Sequence, residues 1–312
     1  MKNSTISVSR HYRKCGQLLL HVIERKAKCR RQAFVRTRED TCHSDMDINE
    51  ERYGNTKRYL TERYPPNPSD KNAAVVPGSL LSPLSFQFFH NFYQKYHKEW
   101  DSSTAFLLDV GGGPCIYPHI SAIPYVAKIY HTDFVKAMCD EVLLWKNKDP
   151  NAFDWSPYFK HVVQELEGQT SPKAVTERED KLRTILNVGP CDAKADVIVP
   201  GLKEPVDILS SSFCLEACPE SLEEYVAILK RLCDLIVPRG FFISQSALEN
   251  SWYKLGKLRY DNPCPLSLED IKRSYQEAGF DVLYVDQRDK PMAVRNISNG
   301  CTGYGYFIAQ KQ

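Results

Sequence analysis

The stretch Phe106-Leu107-Leu108-Asp109-Val110-Gly111-Gly112-Gly113-Pro114 carries the strongest fold signal in the chain. An apolar segment of strand length runs directly into a glycine turn, and a helical pattern follows. Glycine lets the backbone adopt positive φ and lets a ligand approach the main chain closely. A helix that begins after such a turn offers unpaired N–H groups and the positive end of its dipole. The stretch predicts an α/β fold with a ligand-binding turn. Three adjacent glycines disfavour the alternative, an ordinary strand-to-helix turn.

Two ligand classes compete for this turn. A dinucleotide site follows the pattern G-x-G-x-x-G, whose third glycine allows close packing of the helix, but Ile116 stands at that third place. Asp109 precedes the turn, where its carboxylate would repel a pyrophosphate. S-adenosylmethionine (SAM) carries no phosphate, and a carboxylate attracts its ammonium group. The turn therefore favours SAM over NAD.

Two further acids follow predicted strands. Asp133 ends the segment Ile129–Asp133, about 20 residues beyond the glycines, which is the spacing at which a carboxylate accepts hydrogen bonds from a ribose diol. This position suits SAM and NAD equally, and a helix N-cap is its structural alternative. Asp192 follows another short segment and could accept a hydrogen bond from the adenine amino group, although an isolated aspartate there is also a common turn residue.

Strand-like and helical patterns alternate through the rest of the chain. The predicted strands are Ala105–Val110, Val126–His131, Val206–Ser210, Phe241–Ser244, Val282–Val285 and Tyr304–Ala309, and the predicted helices are Ser82–Trp100, Val135–Lys146 and Ser221–Leu235. Such alternation predicts a parallel sheet covered by helices on both faces. No crossover helix fits between the last two strands, so we expect them to form an antiparallel pair at one edge. Residues 151–181 are expected to form an insertion.

Charge and cysteine usage restrict the function classes. Residues 1–38 contain 11 Lys or Arg and one acid, a net charge of +10, which leaves −8 for the rest of a chain whose total is +2. We predict a disordered basic N-terminal extension over 1–50, with a mitochondrial transit peptide as the alternative, and a SAM-dependent methyltransferase domain over 51–312. The acidic body predicts no nucleic-acid partner. The 11 cysteines and eight histidines show no zinc-ligand spacing, so no metal is expected and the thiols are interpreted as reduced in the cytoplasm.

Several separated segments resemble the small-amine N-methyltransferases that act on nicotinamide, phenylethanolamine and indolethylamine. They cover roughly Arg58 to the C-terminus and are Tyr59-Leu60 with Tyr64-Pro65-Pro66, the glycine stretch through Tyr117, Thr132-Asp133-Phe134, Asp149–Ser156, Phe213–Pro219 and Ala247–Tyr253. The glycine turn is common to SAM enzymes, whereas Ala152-Phe153-Asp154-Trp155-Ser156 and Phe213-Cys214-Leu215-Glu216-Ala217 are much more specific. The resemblance implies a Rossmann-like class I methyltransferase: a mostly parallel seven-stranded sheet, an antiparallel C-terminal edge and an N-terminal helical lid.

The resemblance also implies a cofactor site for SAM and a pocket for a small amine. The cofactor residues would be Tyr59 and Tyr64 from the lid, Gly111, Gly113, Cys115 and Tyr117 at the methionine end, Asp133 and Phe134 at the ribose and adenine, Asp192 and Ala193 at the adenine edge, and Ser212 near the methionyl part. The substrate residues would be Tyr59, Glu216, Asn250 and Tyr253. We expect a monomer with no membrane partner.

Glu216 is the expected catalytic residue. An aliphatic amine arrives mostly protonated at neutral pH, and a buried carboxylate can attract the ammonium and receive its proton. An acid at the N-terminal end of a helix is the structural alternative for Glu216. Ser246 stands where the nicotinamide branch has an Asp for the carboxamide, and Asn250 where the phenylethanolamine branch has a second Glu. Met138 replaces a cofactor-binding Asn, and Cys115 the usual Thr.

The predicted function is methyl transfer from SAM to the nitrogen of a small aromatic amine. The alternatives that stay open are a nicotinamide or pyridine N-methyltransferase and a SAM-binding protein without turnover. An NAD-dependent oxidoreductase is disfavoured by Ile116 and by the lack of a recognisable Tyr/Lys or His catalytic pair.

Overall fold

A seven-stranded sheet forms the centre of the protein. The computed structural model describes residues 56–64, 83–255, 258–290 and 299–312, all within one compact unit that spans Arg52–Gln312. The strands are β1 (Phe106–Val110), β2 (Lys128–Asp133), β3 (Leu186–Pro190), β4 (Val206–Ser212), β5 (Ile236–Leu248), β6 (Trp252–Leu255), β7 (Leu258–Asp261), β8 (Phe280–Asp289) and β9 (Gly303–Lys311). The order in the main sheet is β3-β2-β1-β4-β5-β9-β8, and β6 and β7 form a separate hairpin.

The strands β1 to β5 run parallel, whereas β9 is antiparallel to both of its neighbours, β5 and β8. This topology confirms the predicted mostly parallel sheet with an antiparallel C-terminal pair. All five residues of β1 are buried, as expected of a parallel strand that is covered on both faces. The order of the strands changes direction between β1 and β4, so the carboxyl ends of these strands border a crevice at which α/β proteins bind ligands.

Helices cover both faces of the sheet. They are α1 (Thr56–Arg63), α2 (Pro83–Tyr96), α3 (Tyr117–Ile120), α4 (Lys136–Lys146), α5 (Ser156–Lys160), α6 (Pro172–Ile185), α7 (Leu222–Asp234) and α8 (Leu268–Glu277). One apolar layer packs α2, α5 and α6 against one face, and a second packs α7 and α8 against the other. Successive side chains of a strand point to opposite faces of the sheet. Leu107 therefore belongs to the first apolar layer and Leu108 to the second.

Local sequence accounts for the two helices of the second layer. Tyr225, Leu229 and Leu232 lie three or four residues apart in α7 and are fully buried, and the Ser221 side chain accepts a hydrogen bond from the N–H of Glu224 at the N-terminus. A reciprocal capping box between Ser267 and Asp270 begins α8.

Two local predictions differ from the structure. β5 begins at Ile236 and continues through Pro238-Arg239-Gly240, because an exposed bulge with Arg239 at φ 65° accommodates the proline. The helix after the glycine turn is only the four-residue α3, so its N-terminus offers no extended anion site. Residues 151–181 lie between α4 and β3, and α5, a π-helical turn at His161–Leu166 and most of α6 bury aromatic and aliphatic residues against the sheet.

Among the strands, the edge strand β3 and the hairpin β6–β7 had no counterpart in the sequence prediction. Leu186–Pro190 is only half-buried and ends in Gly189-Pro190, so it shows neither alternation nor an apolar run. No helix among the described residues combines the length and the apolar character that crossing a bilayer requires. The predicted extension over 1–50 lies outside the described residues.

Candidate active site

The candidate site lies where the parallel strands end. The glycine turn follows β1, Asp133 ends β2, Asp192 follows β3, and Ser212 ends β4. Strand pairing aligns these ends, for example Val110 with Thr132. Four segments far apart in sequence are thus brought to one edge of the sheet, as the resemblance implied.

The glycine turn requires glycine at two positions for different reasons. Gly111 has φ 68°, and a Cβ added there would lie 2.0 Å from Sγ of Cys214. Gly113 has φ 63°, but a Cβ there would meet nothing closer than Sγ of Cys115 at 3.9 Å. Space thus remains open beside Gly113, whereas Gly111 is packed against the loop that follows β4. A ligand at this turn would approach the Gly113 side.

Asp133 links the glycine turn to the end of β2. Its Oδ2 accepts a hydrogen bond from the N–H of Gly113 and its Oδ1 accepts one from Val135, both at 2.8 Å. Burial raises the pKa of this carboxyl, against the two N–H donors, which lower it. Each oxygen keeps accepting capacity for a ribose hydroxyl. The next side chain, Phe134, is 58% exposed, an unusual state for an aromatic ring in this protein.

The loop after β3 lies against the same strand end. The N–H of Cys191 donates to the carbonyl oxygen of Asp133 at 3.0 Å, which brings Asp192 and Ala193 beside it. Asp192 Oδ1 accepts the N–H of Lys194 in its own turn. Both the predicted adenine contact and the turn-residue alternative are compatible with this placement.

The lid helix α1 carries the two predicted lid tyrosines to different environments. Tyr64 is 4% exposed, packs its ring edge-on against Trp155 at 5.3 Å, and its hydroxyl forms a 2.7 Å hydrogen bond with Sγ of Cys115. Tyr59 is only partly buried, and burial, followed by its neighbours Cys115, Asp133 and Cys214, raises the pKa of its phenol. Tyr59 therefore borders the glycine turn, whereas Tyr64 anchors the lid in the aromatic core.

Tyr117 and Ser212 lie deeper at the same edge. The Tyr117 hydroxyl donates to Oε1 of Gln245 on β5 at 3.1 Å, and burial raises the pKa of this phenol well above its ordinary value. Ser212 pairs in register with Gln245. The Nε2 of Gln245 is buried with no hydrogen-bond partner in the described part of the chain.

Asp109 does not face the turn, which corrects part of the argument for SAM. Its side chain is fully buried beneath Gly112, its Oδ1 accepts a 2.6 Å hydrogen bond from Oγ of Ser210, and its Oδ2 faces His119 and His131. The expected attraction between Asp109 and a ligand ammonium is therefore wrong. The carboxylate supports the turn from below.

Glu216 lies in a 3₁₀ turn, Leu215–Ala217, that follows β4. Its side chain is 3% exposed, Oε1 accepts the N–H of Ala247 at 2.8 Å, and Oε2 is buried with no hydrogen-bond partner among the described residues. Burial raises the pKa of Glu216 to about 7, although the Ala247 N–H lowers it. A helix-dipole role does not account for this, because the following helix begins only at Leu222.

Asn262 connects two of the predicted substrate residues, Glu216 and Asn250. Its Nδ2 donates to the carbonyl oxygens of Glu216 at 3.2 Å and of Asn250 at 2.8 Å, which clamps both backbones. Oδ1 of Asn250 is also buried without a partner in the described residues. Sequence reasoning missed Asn262, Cys214 and Gln245, because each acts through a contact between distant segments.

Tyr253 lies on β6, where its ring stacks on Tyr260 at 5.3 Å. An isolated backbone bridge joins Tyr253 to Asn299. Asn299 accepts hydrogen bonds from the buried Lys290 and from Cys301. The Asn299 side chain is thus engaged within the protein.

The residues present fit SAM. An open face beside Gly113, a carboxylate placed for a ribose diol, and an exposed aromatic ring next to it match the amino-acid, ribose and adenine parts of the molecule. Buried polar atoms that have no hydrogen-bond partner among the described residues occur on Glu216, Gln245 and Asn250, which lie near the ends of β4 and β5.

Comparison with known proteins identifies the family of this chain. Residues 46–304 match the family model described as the NNMT/PNMT/TEMT family. The nicotinamide N-methyltransferase of Sus scrofa is 35% identical over 182 residues, which cover 58% of this chain and 67% of that protein. The phenylethanolamine N-methyltransferase of Rattus norvegicus is 31% identical over 209 residues, 66% of this chain and 72% of that protein.

Among solved structures, a magnesium protoporphyrin IX methyltransferase from Synechocystis with bound SAM aligns with a TM-score of 0.49 and 12% identity, over 86% of this chain and 97% of that one. The family match covers most of the chain and includes every residue predicted for the site. The chain belongs to the NNMT/PNMT/TEMT family and is a SAM-dependent N-methyltransferase.

Proposed function

We propose that the chain methylates the nitrogen of a small aromatic primary or secondary amine, and that Glu216 receives the amine proton. The observation that carries this proposal is the state of Glu216: it is buried, one oxygen has no partner among the described residues, and its pKa is raised to about 7. Such a carboxylate attracts a cation and accepts a proton near neutral pH.

The neighbouring titratable groups leave Glu216 as the one that changes charge near pH 7. Glu216 acts electrostatically on three neighbouring groups, which are Tyr225, Tyr275 and Cys301. Burial raises the pKa of each of these three groups above its ordinary value, so all of them stay neutral at pH 7. The buried Lys290 donates a hydrogen bond to Asn299 and acts electrostatically on Cys301.

The proposed reaction is a direct displacement. Bound SAM supplies an electrophilic methyl carbon on a sulfonium. Glu216 takes a proton from the ammonium, the freed lone pair attacks in line, and the N–C bond forms as the S–C bond breaks. The lid and the aromatic core around Tyr64 exclude water, and the Asn262 clamp holds Glu216 in place.

We also propose which residues hold each part of the cofactor and substrate. The cofactor set is Tyr59, Tyr64, Gly111, Gly113, Cys115, Tyr117, Asp133, Phe134, Asp192, Ala193 and Ser212, and the substrate set is Tyr59, Glu216, Asn250 and Tyr253. The alignment of strand ends supports the first set, and the Asn262 clamp that joins Glu216 to Asn250 supports the second. The side chains of Tyr64 and Cys115 are hydrogen-bonded to each other, so their main role towards the cofactor is to shape its cavity.

The proposed substrate follows from this pocket. The relatives are named for nicotinamide, phenylethanolamine and indolethylamine. Ser246 offers less to a carboxamide than an acid would, and a buried carboxylate suits an ammonium better than a neutral pyridine nitrogen. Nicotinamide and binding without turnover remain the competing functions.

We further propose a monomer that works in the cytoplasm on free small molecules. All eight cysteines in the described part of the chain are free thiols, the state that a reducing compartment maintains. Size-exclusion chromatography with light scattering and localisation of a tagged full chain test these two points.

A Glu216→Gln variant tests the proposed mechanism, because it keeps the shape and removes the charge. We expect turnover on a responsive amine to fall roughly 10²–10⁴-fold, the range for general acid–base catalysis. The ratio of wild-type turnover to variant turnover should shrink as the pH is lowered through about 7, because Glu216 is then protonated. It should shrink again at high pH, where the amine is already neutral. The control is Glu249→Gln, which changes an exposed acid three residues from Ser246. It should leave the dependence of turnover on pH unchanged.

SAM affinity, measured by isothermal titration, should be equal in wild type and Glu216→Gln. Full activity of Glu216→Gln across the pH range would refute the role of Glu216. Preferred methylation of nicotinamide over every amine in a panel would establish the competing substrate, and SAM binding without turnover on the whole panel would refute an enzymatic function.

A further inference from the structure

A cluster of three potential metal ligands lies beneath the glycine turn. Asp109 from β1, His119 from α3 and His131 from β2 converge there, and all three side chains are fully buried. Nε2 of His119 lies 3.1 Å from Nδ1 of His131. Oδ2 of Asp109 lies 3.5 Å from the first of these nitrogens and 3.4 Å from the second. The proposed methyl transfer uses none of the three.

These distances match one face of a metal coordination tetrahedron. A point equidistant from the three atoms lies about 1.9 Å from each, and Zn–N and Zn–O bonds of about 2.0–2.2 Å place an ion slightly out of that plane. The carboxylate distances are long for hydrogen bonds, and Oδ2 of Asp109 has no hydrogen-bond partner among the described residues. The three atoms surround a common point, and although the two imidazole nitrogens lie within hydrogen-bond distance of each other, the carboxylate oxygen pairs with neither.

The surrounding groups already orient the ligands. The carbonyl oxygen of Gly113 can only accept, so Nε2 of His131, 2.8 Å away, carries the proton and Nδ1 presents its lone pair to the cluster. Oγ of Ser210 donates to the other carboxylate oxygen of Asp109. Such outer-shell hydrogen bonds characterise metal sites in proteins.

We propose that Asp109, His119 and His131 bind a divalent transition-metal ion of the zinc class, with one buried water completing the coordination. Two imidazoles and one carboxylate suit zinc. Because the ligands are inaccessible, the ion is taken up as the chain folds. The bond from His131 to the Gly113 carbonyl couples the ion to the glycine turn, so its role is to hold that turn in shape. The sequence shows no zinc spacing because the ligands come from three separate elements.

A proton is the competing occupant of the same space. A proton on Nδ1 of His131 would face Oδ2 of Asp109 at 3.4 Å. Metal content separates the two states directly.

The test measures metal in the full chain, produced with added zinc and purified without a polyhistidine tag. After EDTA and gel filtration, mass spectrometry should find about one zinc per chain. X-ray absorption of this wild-type sample should show only nitrogen and oxygen ligands, including two imidazoles. His119→Gln and His131→Asn should each abolish retention, whereas His161→Gln, a change at another buried histidine, should retain the ion. Ser210→Ala should weaken zinc affinity by about 10–100-fold.

Several outcomes would overturn the proposal. These are folded wild-type protein that carries no zinc after synthesis or refolding in its presence, sulfur ligands in the absorption spectrum, or zinc retention in the His119 and His131 variants equal to that of wild type. If those two variants fail to fold, the wild-type absorption spectrum and stoichiometry decide the question alone.

Discussion

At the scale of single residues, Gly111 shows how two constraints meet at one position. Its φ of 68° lies in the left-handed region, and a Cβ would collide with Sγ of Cys214. Gly168 has a similar φ of 72° but open space around it. Alanine substitutions at Gly111 and Gly168 therefore distinguish the cost of backbone strain from the effect of packing at the glycine turn.

Gly111→Ala should abolish or strongly weaken SAM binding, because the turn must shift away from Cys214 to admit the new methyl group. Gly168→Ala should lower the free energy of unfolding by about 1–2 kcal/mol, the usual cost of a left-handed L-residue, with SAM affinity unchanged. Isothermal titration and thermal unfolding measure the two effects. Equal SAM affinity in Gly111→Ala and wild type would show that the cofactor does not depend on this turn.

At the scale of elements, the lid helix α1 is tied to the body by a shared carboxylate. Glu141 on α4 is 4% exposed, its Oε2 accepts a hydrogen bond from Oγ1 of Thr56, and its Oε1 accepts one from the N–H of Phe153. The same carboxylate thus joins the lid to the aromatic segment on which Tyr64 packs. Lid position and aromatic packing are expected to change together.

Glu141→Gln should loosen the lid, because an amide offers one acceptor oxygen in place of two. Loss of a hydrogen bond to a charged group costs about 1.5–3 kcal/mol. We therefore expect Glu141→Gln to raise the KM for SAM and to speed amide exchange in residues 56–64. Glu62→Gln is the control, since it alters an exposed ion pair with Arg58 on the same helix. Unchanged exchange in Glu141→Gln would show that the tie does not hold the lid.

At the scale of the whole molecule, charge is divided between residues 1–38, which carry +10, and the acidic remainder of the chain, which carries −8. The family match begins at residue 46, and the described residues begin at 56. Residues 1–50 thus lie almost entirely outside the part of the chain that the family shares.

A chain that begins at Glu51 should fold and turn over as the full chain does, because residues 1–50 show no core periodicity. Melting temperature and turnover on a responsive amine check this. A large loss of either would assign the segment a part in the enzyme, and import into isolated mitochondria with cleavage of the segment would contradict the cytoplasmic assignment.

Local pattern in the sequence determined the class of fold and the edge at which the site lies. Phe106–Val110 with its glycines, the 3.6-residue period of Leu222–Asp234 and the final antiparallel pair could all be predicted, since each depends on the burial preferences of neighbouring residues. Only the tertiary structure decided that Asp109 faces two histidines, that Cys214 packs on Gly111, and that Asn262 clamps Glu216 to Asn250. These contacts join residues that are 10 to 103 positions apart, and a one-dimensional pattern carries no record of such distances.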